Sequence, residues 1–423
     1  MKKILLFSLL LCLLFTPVIM AQGFKAAAAL RIVTPDPLLP VSGGVGIPNP
    51  VSEKKGDLFV RCLVLEKGET RVAIVSIDNL GWPSVLSEKV YGLVKGIPAE
   101  NILIGATHTH SAPDAYGFTD DNGNSGVDLQ YLDWCAQQMA DAINEALDKL
   151  EPAVLKIAVG EAKGKIAYNA YAEHLYDPRC GVIQAIATSG KNENKAIATL
   201  VNYAVHPEVI GSDRGILTPD LCGPLYERID SKGGGMALFM NGAIGGMVTA
   251  DNRREGGGEV ATWQECIRIG ELLADESLRI IEDAEIQENP GLYCASKQVT
   301  LPVDSQLMRF IIQHSPLNYT MSDGYEITTR LNLLNIGPAQ VVTIPGEALP
   351  NIGFYLKRNM KSKHAFLFGL TNDAFGYILT KVDFNSFKRY DYISRTSLGE
   401  MTGEIFINET LDLIEKNPGP DEP

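Results

Sequence analysis

Ile102-Leu103-Ile104-Gly105-Ala106-Thr107-His108-Thr109-His110-Ser111-Ala112-Pro113 is the stretch that decides how this chain is read. Its first five residues form a short, unbroken apolar run, the pattern of a strand buried on both faces. In extended backbone, residues i and i+2 point to the same side, so His108 and His110 project together from the strand's carboxyl end. Two imidazoles presented this way suit one metal ion, or one ligand with an acid/base group beside it. The competing reading is an H-x-H that is merely surface-exposed. The chain has only six histidines, however, and a third, His206, closes the β-rich run 196–205. Open α/β sheets place their sites at the carboxyl ends of strands. The pattern predicts a metal site there.

Working outward, strand and helix signals alternate. Runs 59–65 and 72–77 flank Lys67-Gly68-Glu69 as a hairpin. Pro83 opens a helix that stops near Gly96, and a long amphipathic helix covers about 128–150. Strands follow at 154–159, 181–187 and 196–205, with Thr218-Pro219-Asp220 capping a helix to about Asp230. A buried strand at 236–240 feeds the turn Asn241-Gly242-Ala243-Ile244-Gly245-Gly246, and 259–283 is a second long helix. Runs 330–336 and 340–344 form a hairpin that leads through Pro345-Gly346-Glu347 into a helix over about 348–360. Residues 302–323 read as a loop-rich insertion, and 417–423 as a disordered, fraying tail. The expected architecture is one mixed α/β domain over 22–416, its β-sheets flanked by helices.

Composition narrows the function. The chain has 423 residues, 45% of them hydrophobic, enough for one large core. A net charge of −14 argues against nucleic acid and against docking on an anionic membrane face, and leaves a neutral lipid substrate open. Lys2-Lys3, the apolar run 4–20 and Ala21-Gln22 read as a signal peptide over 1–21, so the mature chain is expected to be exported, periplasmic or secreted. No other stretch approaches the roughly 18 apolar residues of a membrane span. Beyond Cys12, six cysteines are scattered without C-x-x-C spacing, which excludes that type of zinc site and leaves buried thiols and disulfides both open.

The block Ile97-Pro98-Ala99-Glu100-Asn101 leading into Thr107-His108-Thr109-His110-Ser111-Ala112-Pro113 resembles the signature of the neutral/alkaline, non-lysosomal ceramidase family. Ile32-Val33-Thr34-Pro35, Asp57-Leu58-Phe59-Val60-Arg61, Ser76-Ile77-Asp78, Ala204-Val205-His206-Pro207, Pro345-Gly346-Glu347, Asn372-Asp373-Ala374-Phe375-Gly376-Tyr377 and Arg389-Tyr390-Asp391 follow in the family's order. The resemblance covers roughly residues 29–400. It implies a zinc amidase that splits the N-acyl bond of ceramide, or a related N-acyl lipid, into an amine base and a fatty acid. Carried over residue by residue, it implies Zn2+ ligands at His108, His206, Glu347 and Tyr377. It implies that His110 and Tyr390 act beside the reacting water and the substrate carbonyl. The chemistry is coherent on its own terms. Imidazole, carboxylate and oxygen donors suit zinc, and cleaving an amide needs a positioned acid/base to protonate the departing nitrogen.

Each of these residues also has a plainer reading. Glu347 at a helix start is stabilised by the dipole alone, and Tyr377 among apolar residues packs a core. There are departures from the family pattern too. Its G-D-x-S-P turn aligns with Gly245-Gly246-Met247-Val248-Thr249, so Gly246 replaces the aspartate and Val248 the serine. No arginine stands at Asn169-Ala170-Tyr171, where the family places one, Arg179 being the nearest, and the family's C-terminal immunoglobulin-like domain is not present in this sequence. Two alternatives therefore stand beside the ceramidase reading. One is a non-catalytic, metal-stabilised binding protein on the same scaffold, and the other is an amidohydrolase acting on a non-ceramide amide. A barrel amidohydrolase is disfavoured by the helix-poor stretch 154–205.

Overall fold

Strands covered on both faces carry near-continuous apolar runs, and Ile102–Ala106, buried throughout, is such a strand of the large sheet. The computed structural model describes residues 23–120 and 123–420. Its main sheet runs in the order Met236–Asn241, Ala196–Tyr203, Arg179–Ala187, Glu151–Glu161, Lys25–Ile32, Phe59–Lys67, Thr70–Ile77, Ile102–Ala106. Ile286–Gln287 adds a ninth strand against Glu151–Glu161. The middle of this order is held by only two residue pairs, Lys25 with Pro152 and Ala26 with Glu151. The sheet is hinged there, and its two ends meet. Arg61 Nη1 donates to the Ala237 carbonyl at 3.1 Å and Ser76 Oγ to the Phe239 carbonyl at 2.6 Å. These bonds satisfy the free edge of Met236–Asn241, which would otherwise bury unpaired carbonyls.

A second sheet of four strands, Leu292–Pro302, Glu326–Ile336, Ala339–Thr343 and His364–Phe368, packs on the first. Leu63, Ile74, Leu103, Leu200 and Leu238 meet Leu334, Val341, Phe366 and Phe368 in the layer between them. The fit is close. A Cβ on Gly181 would lie 2.4 Å from the Phe366 ring, so only glycine is accommodated there. The helices Leu129–Asp148, Cys222–Ser231 and Trp263–Glu282 share a core with the outer face of the large sheet. Pro350–Asn359 and Thr402–Lys416 cover the small sheet. The result is four layers, helix–sheet–sheet–helix, in one mixed α/β domain. Asp128 and Thr262 cap the two longest helices through the Tyr131 and Glu265 N–H groups.

The expected hairpins and long helices are present within a few residues of their predicted ends. The stretch 302–323 departs from expectation, because it holds the helix Gln306–His314. Ser305 caps it by accepting from the Met308 N–H, and Met308, Ile311 and Ile312, at i, i+3 and i+4, form its buried face. The start of the C-terminal tail is also tied down. Tyr293 Oη donates to Asn417 Oδ1 at 2.6 Å, and Asn335 Nδ2 to the Pro418 carbonyl at 2.9 Å. Among the described residues, six cysteines are free thiols, five of them buried. The signal-peptide reading lies outside the described residues. Among those described, no helix is long and apolar enough to cross a membrane.

Candidate metal centre and its cavity

Three chain segments that end strands converge where the two ends of the large sheet meet. His108 and His110 follow Ile102–Ala106, His206 follows Ala196–Tyr203, and Asn241 ends Met236–Asn241. Asn241 ties them together. Its Nδ2 donates to the Thr107 carbonyl at 3.0 Å and the Val205 carbonyl at 2.9 Å. Its Oδ1 accepts from the Gly242 N–H at 2.9 Å and the Val205 N–H at 3.3 Å. Every hydrogen-bonding position of this fully buried amide is used. His108 itself has φ of +72°, a left-handed conformation that turns the chain sharply after the strand.

Glu347 and Tyr377 arrive from the other side. Glu347–Ala348 and Tyr377–Ile378 pair in parallel with Glu347 directly opposite Tyr377, whose hydroxyl lies 3.8 Å from Met247 Sδ. The glycine turn closes behind them. Gly245 N–H donates to the Ala348 carbonyl at 2.9 Å, and a Cβ on Gly245 would lie 2.3 Å from the Glu347 carbonyl oxygen.

The imidazoles are oriented by backbone carbonyls. His108 Nδ1 lies 2.5 Å from the Leu80 carbonyl and His206 Nδ1 2.7 Å from the Val248 carbonyl. A carbonyl only accepts, so both Nδ1 atoms carry hydrogen and both Nε2 lone pairs face inward. His206 Nε2 is 3.1 Å and His108 Nε2 3.6 Å from Glu347 Oε2. Two lone pairs aimed at a carboxylate oxygen repel unless a proton or a metal cation lies between them. Ligands about 2.0–2.1 Å from a tetrahedral metal stand roughly 3.3 Å apart, which these distances bracket. The ligand nitrogens of His108, His110 and His206 lie within 4.8 Å of one another, a cluster that could hold a metal ion. His110 Nδ1 sits 3.3 Å from Glu208 Oε2, while its buried Nε2 has no hydrogen-bond partner among the described residues.

Electrostatics follow the same geometry. Burial, reinforced by the neighbouring imidazoles, pushes His108 and His110 down to about 3, although Glu347 opposes this at His108. Burial disfavours charge on His206 as well, but the Glu347 carboxylate outweighs it and raises that group to about 9. Burial likewise opposes ionisation of Glu347, yet His108, His206 and the Tyr377 hydroxyl hold it below the ordinary carboxylate value. The buried cluster thus favours one positive charge among its imidazoles beside one carboxylate.

His108, His110, Glu347 and Tyr377 line a cavity of about 390 Å³, with His206 behind them. Its walls are largely apolar, with Leu80, Phe118, Met308, Ile311, Ile312 and Phe375 prominent. The helix Gln306–His314, unforeseen from the sequence, supplies three of these six. Tyr390 is elsewhere. Its ring stacks on Tyr171 at 5.6 Å and meets Phe387 at 5.3 Å, and it does not line the cavity. The tyrosine that does is Tyr392, whose ring lies 5.9 Å from that of Tyr377. Burial and then Glu347 raise it to about 12. The cause of the exchange is the turn Lys388–Tyr390 passing into the helix Asp391–Arg395. Two residues along a helix turn the side chain by about 200°, so Tyr392 and Thr396 share the cavity face while Tyr390 points away.

The departures from the family pattern also have an explanation. Val248 acts on the site through its carbonyl, which accepts from both the backbone N–H and Nδ1 of His206, while its side chain is buried in the core. Arg179 is engaged with Asp177 through two bonds of 2.7 and 2.8 Å and stands outside the cavity. Asn241 and Glu208 were not singled out from sequence. Asn241 sits at the end of a recognised buried strand, and Glu208 two residues after a recognised histidine, which are the only signals the sequence offers.

No protein-family model matches this sequence, and no curated protein matches it. Solved structures do. The neutral ceramidase of Pseudomonas aeruginosa superposes with a TM-score of 0.74 at 15% identity, over 95% of this chain and 76% of that one. A ceramidase complexed with C2 gives a TM-score of 0.70 at 15% identity, over 95% and 77%. The resemblance carried by the Thr107–Pro113 block therefore extends to the architecture that positions it, and this chain has the fold of the neutral ceramidases.

Proposed function

We propose that this protein is an exported, zinc-dependent amide hydrolase of neutral ceramidase type, which cleaves the N-acyl bond of ceramide or a related N-acyl lipid. The observation that carries the reading is the convergence of two carbonyl-anchored imidazoles, His108 and His206, on the Glu347 carboxylate, with His108, His110, Glu347 and Tyr377 lining an apolar cavity. His108, His206, Glu347 and Tyr377 would hold the ion, a donor set that suits zinc. When bound, zinc supplies Lewis acidity toward an amide carbonyl and makes hydroxide available near neutral pH.

The chain's own residues do the rest. His110 takes a proton at Nε2 from the attacking water and returns it to the departing amide nitrogen, with Glu208 fixing the ring through Nδ1. Tyr392 replaces Tyr390 as the hydroxyl that donates to the carbonyl oxygen as it gains charge, because it is the one at the cavity. Apolar walls receive the hydrocarbon part of the substrate and exclude water, which strengthens both interactions.

Metal analysis of the purified protein, combined with a screen of N-acyl lipids for wild type and His108→Ala, tests this. About one zinc per chain and a lipid amidase activity, both lost in His108→Ala, are the expected results. A protein that neither binds zinc nor gains stability from it ends the reading. Bound zinc with no hydrolysis of any N-acyl lipid favours a metal-stabilised binding protein, which the replacement of the family's serine and arginine would accommodate.

A further inference from the structure

Two loops, one lining the cavity and one preceding its wall in sequence, expose apolar side chains that the core does not need. The glycine-rich segment 43–47 lines the mouth through Gly43, Gly44 and Val45, and presents Val45 at 42% and Ile47 at 48% exposure. The segment 381–389, which immediately precedes the Tyr390–Tyr392 turn into the cavity wall, presents Val382 at 81% and Phe387 at 61%. These are the two most exposed large apolar side chains among the described residues.

They are held outward by an ordered backbone. Lys381 N–H donates to the Glu404 carboxylate at 2.8 Å, Asn385 N–H to Ser394 Oγ at 2.9 Å, and Tyr390 N–H to the Phe387 carbonyl at 2.8 Å. Arg389 donates to the Tyr171 carbonyl. The conformational entropy of presenting the prongs is therefore already spent in the free protein. Lys381, Lys388 and Arg389 are exposed beside them, as is Asp391, while Asp383 is partly buried and bonded by the Thr380 hydroxyl.

Building on the lipid-amide reading, we propose that Val382 and Phe387 insert into a zwitterionic lipid surface, and that Lys381 and Lys388 meet its phosphate groups. The partner's chemistry follows from charge. Apolar prongs beside cations match the acyl boundary and the phosphates of a lipid headgroup layer. The whole chain at −14 is repelled by an anionic surface, so the matching surface has no net charge. Docking there holds the enzyme at the surface that carries its acyl substrate.

The test is sedimentation of the full chain with phosphatidylcholine vesicles, for wild type and the double variant Val382→Ser/Phe387→Ser. Both positions are exposed, so the variant keeps its fold. Vesicle partition is expected to fall about tenfold or more. Hydrolysis of a short-chain, water-soluble N-acyl amine should stay within about twofold, while hydrolysis of the vesicle-borne lipid falls with partition. Wild type that ignores the vesicles, or a variant that partitions like wild type, overturns the proposal. So does a patch that mediates concentration-dependent self-association without vesicle binding. A protein with no amidase activity whose vesicle binding still depends on Val382 and Phe387 removes the function proposed above and leaves the docking surface standing.

Discussion

Replacing Asn241 by leucine removes the one side chain that bonds both histidine-bearing loops. The change keeps volume and burial and deletes four hydrogen bonds, to Thr107 O, Val205 O, Val205 N and Gly242 N. Each buried backbone group left unpaired costs about 1–3 kcal/mol. Four such groups would sum to roughly 4–12 kcal/mol, and local relaxation that re-pairs some of them brings the expected loss to about 3–5 kcal/mol. A second effect is specific to the site. Thr107 and Val205 each directly precede a proposed ligand, so their displacement moves His108 and His206 apart. Loss of a residue that orients ligands typically weakens metal affinity about 10–100-fold. Urea unfolding of metal-free protein measures the first effect and competition with a chelator of known affinity the second. Asn241→Asp separates geometry from packing, since it keeps the shape but sets a carboxylate against two carbonyls, and it should be at least as damaging. Stability within about 1 kcal/mol of wild type together with unchanged metal affinity would refute the idea that this amide holds the two loops in register.

Three further outcomes are expected. His110→Ala and Tyr392→Phe should retain metal and lose turnover by about a hundredfold or more, whereas Tyr390→Phe stays near wild type, and the reverse ranking of the two tyrosines would restore Tyr390 to the site. Asp78, raised to about 6 chiefly by burial despite the nearby Arg61, takes up a proton on folding between its unfolded value and pH 6, so its contribution is present at low pH and lost as pH rises through 6. The stability of Asp78→Asn relative to wild type, followed by denaturation from pH 7.5 to 4, should therefore fall by on the order of 3 kcal/mol as wild type gains stability, and a difference independent of pH would contradict this. Val248→Ser places a hydroxyl in the core rather than in the cavity, so it should lower stability by about 1–3 kcal/mol in thermal or urea unfolding, and improved turnover of ceramide would show that the side chain reaches substrate after all.

Much of this arrangement is legible in the sequence because burial writes itself into local pattern. The unbroken apolar run Ile102–Ala106 marks a central strand, and the i, i+2 histidines after it mark the direction in which the site opens. Helix Gln306–His314 was harder to read. Its nine residues lie between a proline-bearing strand end and a turn, and its three-residue apolar stripe is too short to stand out from a loop. Tyr390 and Tyr392 were indistinguishable for a different reason. Both are tyrosines in a short turn, and only the rotation of the chain from Lys388–Tyr390 into Asp391–Arg395 decides which one faces inward. Asn241 could be placed at a strand end, but its partners lie on segments 36 and 134 residues away, a relation that no local pattern encodes.

The hinged sheet, joined through only two residue pairs, carries a consequence for how the molecule reaches its native state. His206 and Glu347 are 141 residues apart, and neither His108 nor His206 can meet Glu347 until the hinge has closed and the smaller sheet has docked. Contacts of such long range form late, after the loop-closure entropy of the intervening chain has been overcome. An ion held there as proposed would thus be recruited to a finished molecule rather than to a folding nucleus, and its affinity would be added almost wholly to the barrier against opening. Metal should leave the folding rate nearly untouched and slow unfolding, so that the loaded protein is defended chiefly by its lifetime.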